Sequence, residues 1–419
     1  MTSRERVQLA LSHQVPDRIP LDLGACAVTG MPSSTCDRLR QALALDPPGT
    51  PVKVIEPYQM LGEITPDLLA RLGADVVPLF STRTMFGFRN EGWKPWTLFD
   101  GTPVLVPAGM NTDPEPQGDI LVYPEGDRTA PPAGRMPHGG YYFDSITYQP
   151  PVDEASLTVE DNLEEFGPVS DAELEYFRGE AERLYTATDR AILGDFGGTS
   201  FGDISLVPGP ALKNPQGIRD VEEWYVSTVK RRRHVYRIFE RQCEIGIANL
   251  ERIYQAVGER ISVVFVSGTD FGTQAAPFLS PKSYRELYQP FHCRVNDWVH
   301  EHTGWKTFLH TCGSVMPLIE QFIDAGFDIL NPVQWSAANM DRAELKERFG
   351  DRVTFWGGGV NSQRTLPFGT PGEVRAEVRE SIRLLGAGGG YVFNTIHNVQ
   401  PGVPVENLLA MYEAVNEQA

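Results

Sequence analysis

Short apolar runs recur along the chain, each ending in polar residues or glycine and most followed by a stretch of helical periodicity. Eight such runs stand out. They are RIPLDLG (18–24), ADVVPLF (74–80), AILGDFGG (191–198), SVVFVSGTDFGTQ (262–274), KTFLHTCGS (306–314), FDILNPVQ (327–334), VTFWGGGVN (353–361) and GYVFNTIHNVQ (390–400). Continuous apolar runs of this length suit strands buried on both faces, and the intervening segments at 281–303, 314–326, 372–387 and 403–416 suit crossover helices. Alternation of this kind predicts a parallel sheet, and eight strands are the number that closes a TIM-like (β/α)8 barrel. Ser280 with Pro281 marks one helix start, and the glycines after Leu385 mark a helix end. Residues 81–155 break the rhythm. They are rich in Gly, Pro, Trp and Tyr with hairpin-like pieces, and predict a β-rich insertion within one barrel domain spanning 1–419.

In such a barrel the chemistry sits at the C-terminal ends of the strands. Those ends carry Asp22, Asp195, Asp270 with Gln274, His310 with Cys312, Asn331 with Gln334 and Trp335, Gly357–Gly359 with Asn361, and Asn394 with His397. Residues far apart in sequence are thereby expected at one mouth.

Composition narrows the partners. The chain has 419 residues, 41% hydrophobic and 22% charged, and a net charge of −18. That balance repels phosphate backbones and anionic lipid, so nucleic acid and membrane surfaces are poor partners. The basic run KRRRHVYR (230–237) reads as a solvated helix face. No apolar stretch reaches the roughly 18 residues of a membrane span, and no signal peptide is visible, so the cytoplasm is expected. Five cysteines without small-domain spacing suit reduced thiols.

His310 and Cys312, two apart at a strand end, can face the same mouth because strand side chains repeat with period two. One imidazole and one thiolate make half of a tetrahedral zinc site, and a third ligand with an open position would make it catalytic. His397, at the end of the last strand, is a candidate third ligand or a substrate-binding histidine. Asp270 is another possible partner, and Cys26 a more remote one. Cys312 as a nucleophile with His310 or His397 as base also stays open. Cys293, His292, His300 and His302 fall on a helical segment and read as helix-face residues.

From TSRERVQLALSHQVPDRIPLDLG through GTDFGTQAAPFLSPKSYRELYQPF, FLHTCGSVMPLIEQFIDAGFDILNPVQ, FWGGGVN and FNTIHNVQPGVPVENLLAMYEAV, the chain resembles the uroporphyrinogen decarboxylase superfamily. The resemblance implies a TIM-like barrel and one of two chemistries. One is metal-free decarboxylation of a polycarboxylated porphyrinogen. The other is cobamide-dependent methyl transfer at a zinc held by a His-x-Cys pair and a later cysteine. His310 and Cys312 match that pair, while TIHNVQP puts His397 where the later cysteine would stand. The decarboxylase branch follows its first strand with closely spaced arginines, and here LDLGACAVTGMP has none.

The resemblance therefore implies a zinc methyltransferase of the cobamide-linked (corrinoid) branch, with His310, Cys312 and His397 as ligands. Asp195, Asp270 and Gln274 would orient substrate or protonate a leaving oxygen, and Asp22, Asn331, Gln334, Trp335 and Asn394 would line the pocket. The substrate would be a methyl ether, such as a methoxylated aromatic, or a thiol. The cobamide would arrive on a separate small protein, since the chain shows no cobamide-binding segment, and a homodimer is possible in this class. The alternatives are a decarboxylase or other lyase acting on a smaller substrate, and a non-catalytic binding barrel.

Overall fold

The computed structural model describes residues 1–417. Seven of the eight apolar runs form strands: β1 (Val76–Phe80), β2 (Ala191–Asp195), β3 (Val263–Ser267), β4 (Lys306–His310), β5 (Ile329–Asn331), β6 (Thr354–Trp356) and β7 (Tyr391–Val392). They pair in parallel, in chain order from β1 to β7. The first run, 18–24, contributes a single parallel bridge, Leu21 to Phe393, instead of a full strand. It nevertheless fills the gap between the sheet edges. Asp22 N–H donates to the Phe393 carbonyl at 2.9 Å and Phe393 N–H to the Pro20 carbonyl at 2.8 Å. On the other side Asp75 N–H donates to the Leu21 carbonyl at 2.7 Å. The barrel closes there with few backbone bonds, partly because Pro20 has no N–H to give.

Side chains reinforce that seam. The Asp75 carboxylate is fully buried and accepts from Arg6 at 2.7 Å, from Arg18 at 2.7 Å and from the Leu21 N–H at 2.9 Å. Arg6 lies on the helix Ser3–Leu11, which Thr2 and Glu5 start with a reciprocal capping box. Val7, Ala10 and Leu11 of this helix join Val76, Ala191, Leu193, Val263, Phe308, Ile329, Trp356 and Val392 in one buried cluster. These strand residues face the barrel interior, whereas Val77, Ile192, Val264, Leu309 and Leu330 belong to the layer between sheet and helices. With a period of two, the residues that follow the interior set also point inward: Asp195 after Leu193, His310 after Phe308, Asn331 after Ile329 and Asn394 after Val392.

Helix punctuation follows local chemistry. Ser280 accepts from the Ser283 N–H to start Pro281–Leu287, and the segment expected to be continuous over 281–303 breaks at Tyr288 before Gln289–His302. Pro290 explains the break, since its ring lacks the N–H that would continue the helix. Thr370 and Glu373 cap Pro371–Leu385. The expected segment at 314–326 shrinks to a 3-10 turn, Met316–Leu318, and a short helix, Ile319–Asp324. Two residues of the basic run are paired within the chain, Arg231 with Glu154 and Glu223, and Arg232 with Glu286. No helix among the described residues is long and apolar enough to cross a membrane.

The insertion forms two small sheets. Lys94–Thr97 pairs antiparallel with Pro103–Val106, and Thr112–Pro114, Ile120–Val122, Gly134–Met136 and Asp144–Ser145 form an antiparallel set. The first sheet also recruits Val52–Glu56, ahead of residue 81, parallel to Pro103–Val106. Phe86, Phe88, Val104, Val106, Val122, Met136 and Phe143 give the layer its own apolar core.

Replacing Asp75 with alanine strips one carboxylate from two poorly exposed guanidinium groups. Asp75→Ala is expected to lower unfolding free energy by about 3–5 kcal/mol in urea titration, and a loss under about 1 kcal/mol would show that the seam does not depend on it.

Candidate active site at the barrel mouth

The loop after β4 is held from both sides. Thr311 N–H donates to the Asn331 carbonyl at 2.7 Å and Ser314 N–H to the Thr273 carbonyl at 2.8 Å. Cys312 N–H donates to Asp270 Oδ1 at 2.6 Å, and Gly313 N–H to Gln334 Oε1 at 2.7 Å. Gly313 has φ +89°, and a Cβ there would lie 2.4 Å from the Gly272 backbone. The His-Thr-Cys-Gly turn is thus pressed against the loop after β3, which only glycine permits at this point.

His310 and Asn331 are register partners across β4 and β5. His310 Nδ1 lies 2.6 Å from Asn331 Oδ1, and its Nε2 lies 3.4 Å from Cys312 Sγ. His397 sits in left-handed backbone, φ +62°, with its ring edge-on to His310 at 5.2 Å between centroids. The candidate donor atoms of His310, Cys312 and His397 lie within 4.8 Å of one another. A tetrahedral zinc, with bonds of about 2.0 Å to nitrogen and about 2.3 Å to sulfur, spaces neighbouring donors about 3.5 Å apart. The His310–Cys312 separation meets that spacing. His397 needs adjustment, because its Nδ1 accepts the Asn398 N–H at 2.7 Å and its proton is therefore on Nε2. A turn of that ring would free a lone pair. The set fits a divalent metal with two donors in place and the third close by.

Burial governs the electrostatics. It depresses His310 to about 4 and also lowers His397, helped by His310 beside it. It pushes the Cys312 thiol well above its ordinary value, with the Asp270 carboxylate adding to the rise. Asp270 itself is raised by burial, against the opposing Cys312 N–H, and its Oδ1 is 3.9 Å from His310 Nε2. Asp195 is raised by burial too, against N–H donation from Ala27 and Gly197.

The structure gathers His310, Cys312, His397 and Asp270, sets Asn331 and Gln334 behind them as supports of His310 and Gly313, and disperses the rest. Asp195 lies toward the first loop, where Ala27 N–H reaches it at 3.4 Å. Asp22, 1% exposed, accepts from Trp356 Nε1 at 2.8 Å and from Ala25 N–H at 3.0 Å. Asn394 donates to the Asp22 and Thr29 carbonyls. Asn331 donates to the Trp356 carbonyl at 2.9 Å. Gln334 holds Gly313, and Trp335 donates to the Gly358 carbonyl at 2.8 Å beneath the Arg342 guanidinium. Apart from Asn331 Oδ1 on His310 and Gln334 Oε1 on Gly313, these polar atoms serve the barrel wall. Gln274 is exposed on the rim, its carbonyl accepting from Ala338 N–H. Cys26 is buried and bonded to Thr29, and Cys293 lies on the helix Gln289–His302.

Several residues near the site were not anticipated. A cavity of about 260 Å³ opens at His397, and Tyr58, Gln59, Tyr142, Phe143 and Asn398 are among its walls. Tyr142 and Phe143 come from the insertion. Asp144, at its edge, is the one acidic lining residue, and neither lysine nor arginine lines it. Glu56, raised to about 7 by burial, and Asp203, raised to about 6 by burial, add to the buried acidic groups. Asn398, adjacent to His397 in the motif, was the one with a sequence signal.

The family model for uroporphyrinogen decarboxylase (URO-D) matches residues 212–418, which carry β3 to β7 and every member of the gathered site. Uroporphyrinogen decarboxylase of Methylococcus capsulatus is 36% identical over 99 residues, covering 24% of this chain and 26% of that protein. That of Pseudomonas fluorescens is 33% identical over 142 residues, covering 33% of this chain and 38% of that protein. Residues 212–418, just under half of the chain, are thus similar to the uroporphyrinogen decarboxylase family. The matched segments span only about a quarter to two fifths of those two decarboxylases. A solved structure of a methyltransferase from Methanosarcina mazei aligns over 100% of this chain and 99% of its own, with a TM-score of 0.55 at 18% identity. That likeness is one of fold, and it covers the whole chain.

Within this barrel, Gly313→Ala would force a side chain into left-handed backbone against Gly272. A loss of about 2–4 kcal/mol in thermal or urea unfolding is expected. An unchanged melting curve would refute the close approach.

Proposed function

We propose that this protein is a zinc-dependent methyltransferase working in the cytoplasm with a separate cobamide-carrying protein. The observation that carries the reading is the meeting of His310 Nε2, Cys312 Sγ and His397 in one cluster beside a cavity without a cationic side chain. A polycarboxylated porphyrinogen requires cations to offset its charge, and the loop at 25–34 has none: Ala25 and Cys26 are buried small side chains there. The full-length fold likeness to a methyltransferase is compatible with this reading.

His310, Cys312 and His397 would hold the metal, which, when bound, would supply Lewis acidity toward a substrate oxygen or sulfur. One thiolate and two neutral imidazoles leave that set a net positive charge, which favours a neutral methyl ether over a thiol. Burial keeps Asp270 protonated to higher pH than an ordinary carboxyl, so it would be suited to protonate the leaving oxygen of the ether, while a reduced cobamide on the partner would supply the nucleophile for the methyl group. Tyr58, Tyr142 and Phe143 would seat the body of the substrate away from water.

A second reading has support in the decarboxylase relatives and in the raised Asp195 and Asp270: an acid–base lyase on a small substrate. Metal analysis separates the two. About one zinc per chain is expected in the unmutated protein, none in His310→Ala or Cys312→Ala, and binding weakened about 10–100-fold in His397→Ala, whose donor is not preset. Protein that takes up no zinc when supplied with it would end the methyltransferase reading and favour the lyase.

The pH dependence has a definite sign. At neutral pH both imidazoles are already unprotonated, while Cys312 carries a proton that it must lose to bind metal. Zinc affinity should therefore rise about tenfold per pH unit between roughly pH 6 and 8 in chelator competition. A flat profile would mean that no thiol proton is released.

A further inference from the structure

We infer that Asn331 is a positioning residue that fixes the tautomer of His310, so that Nε2 presents its lone pair to the site before any metal arrives. The role in metal binding rests on the reading above, whereas the tautomer follows from hydrogen-bond polarity alone. The Trp356 carbonyl can only accept, and Asn331 Nδ2 lies 2.9 Å from it. The amide nitrogen therefore faces Trp356, and Oδ1 faces His310. Oδ1 can only accept as well, so His310 Nδ1, at 2.6 Å, must carry the hydrogen. A neutral imidazole has one N–H. Its lone pair is then on Nε2, the atom 3.4 Å from Cys312 Sγ.

The chain of bonds crosses three adjacent strands, from Trp356 in β6 to Asn331 in β5 to His310 in β4, and water has no access to it. Asn331 and Trp356 are 0% exposed and His310 3%. Trp356 is itself anchored by its indole N–H on Asp22 Oδ2 at 2.8 Å. An amide in this place orients the ring without adding negative charge, which a carboxylate partner would bring to the ligand set. His397 is held with the opposite polarity, since a backbone N–H occupies its Nδ1. The two histidines are thereby unequal, and Asn331 makes His310 the one that is ready.

The test uses the full-length protein. Long-range 15N–1H spectra of the metal-free protein should show His310 as the Nδ1–H tautomer, and the signal should lose that state in Asn331→Leu. In chelator competition Asn331→Leu should bind zinc about 10–100-fold more weakly. Asn331→Asp can be protonated by burial to donate to Trp356 and still accept from His310, and should stay within about threefold of the parent. An Nε2–H tautomer in the unmutated protein, or a folded Asn331→Leu with parental affinity, would overturn the assignment. If Asn331→Leu does not fold, the tautomer of the unmutated protein and the Asn331→Asp affinity decide. Should the unmutated protein bind no zinc, the metal reading falls and the tautomer still judges Asn331 separately.

Discussion

Barrel closure at the first strand is the constraint on which the mouth depends. Irregular backbone at Pro20, Leu21 and Asp22 takes the place of a strand, bonded to Phe393 on one side and Asp75 on the other. The buried Asp75 carboxylate ties Arg6, Arg18 and the Leu21 N–H to one point. Because β7 leads directly into the loop carrying His397, the same seam sets where that loop stands relative to β4. Without closure, the loop carrying His397 would follow an edge strand, three strands away from His310 at the centre of an open sheet.

From closure follows an economy of polar groups. The strands deliver side chains to the mouth with period two, yet most of those side chains bond to the wall they come from. Asp22 holds Trp356, Asn394 spans two carbonyls, and Gln334 fastens the turn after Cys312. A rigid frame remains, on which few groups are left to face a ligand. The burial that makes the frame rigid also raises the carboxyls and depresses the imidazoles, so structural order and the chemistry of the site share one cause.

Much of this was readable in the sequence for a simple reason: buried parallel strands are apolar runs, and seven of eight runs became strands. The exception, 18–24, is apolar enough but carries Pro20, and its pairing depends on Asp75 and on the distant Phe393. Val52–Glu56 escaped notice because it joins the insertion instead of the barrel rhythm. At the site, residue type and spacing brought out His310, Cys312, His397 and Asp270. Spacing could not show whether Asn331 or Gln334 would meet a ligand or a backbone group, since that depends on which partner each finds across the sheet. Nor could it place Tyr142 and Phe143 beside His397, which only the folding of the insertion over the mouth accomplishes.

That last arrangement divides the molecule's labour between two architectures. The groups suited to hold a metal sit on parallel strands whose register is fixed by the closed barrel, while part of the wall around the adjoining cavity belongs to a sheet layer with a core of its own. Sequence drift in Tyr142 or Phe143 can reshape what the cavity admits without disturbing β4 or β5. The barrel is thus free to keep one chemistry while its clientele changes, a separation of inheritance into a slow part and a fast one.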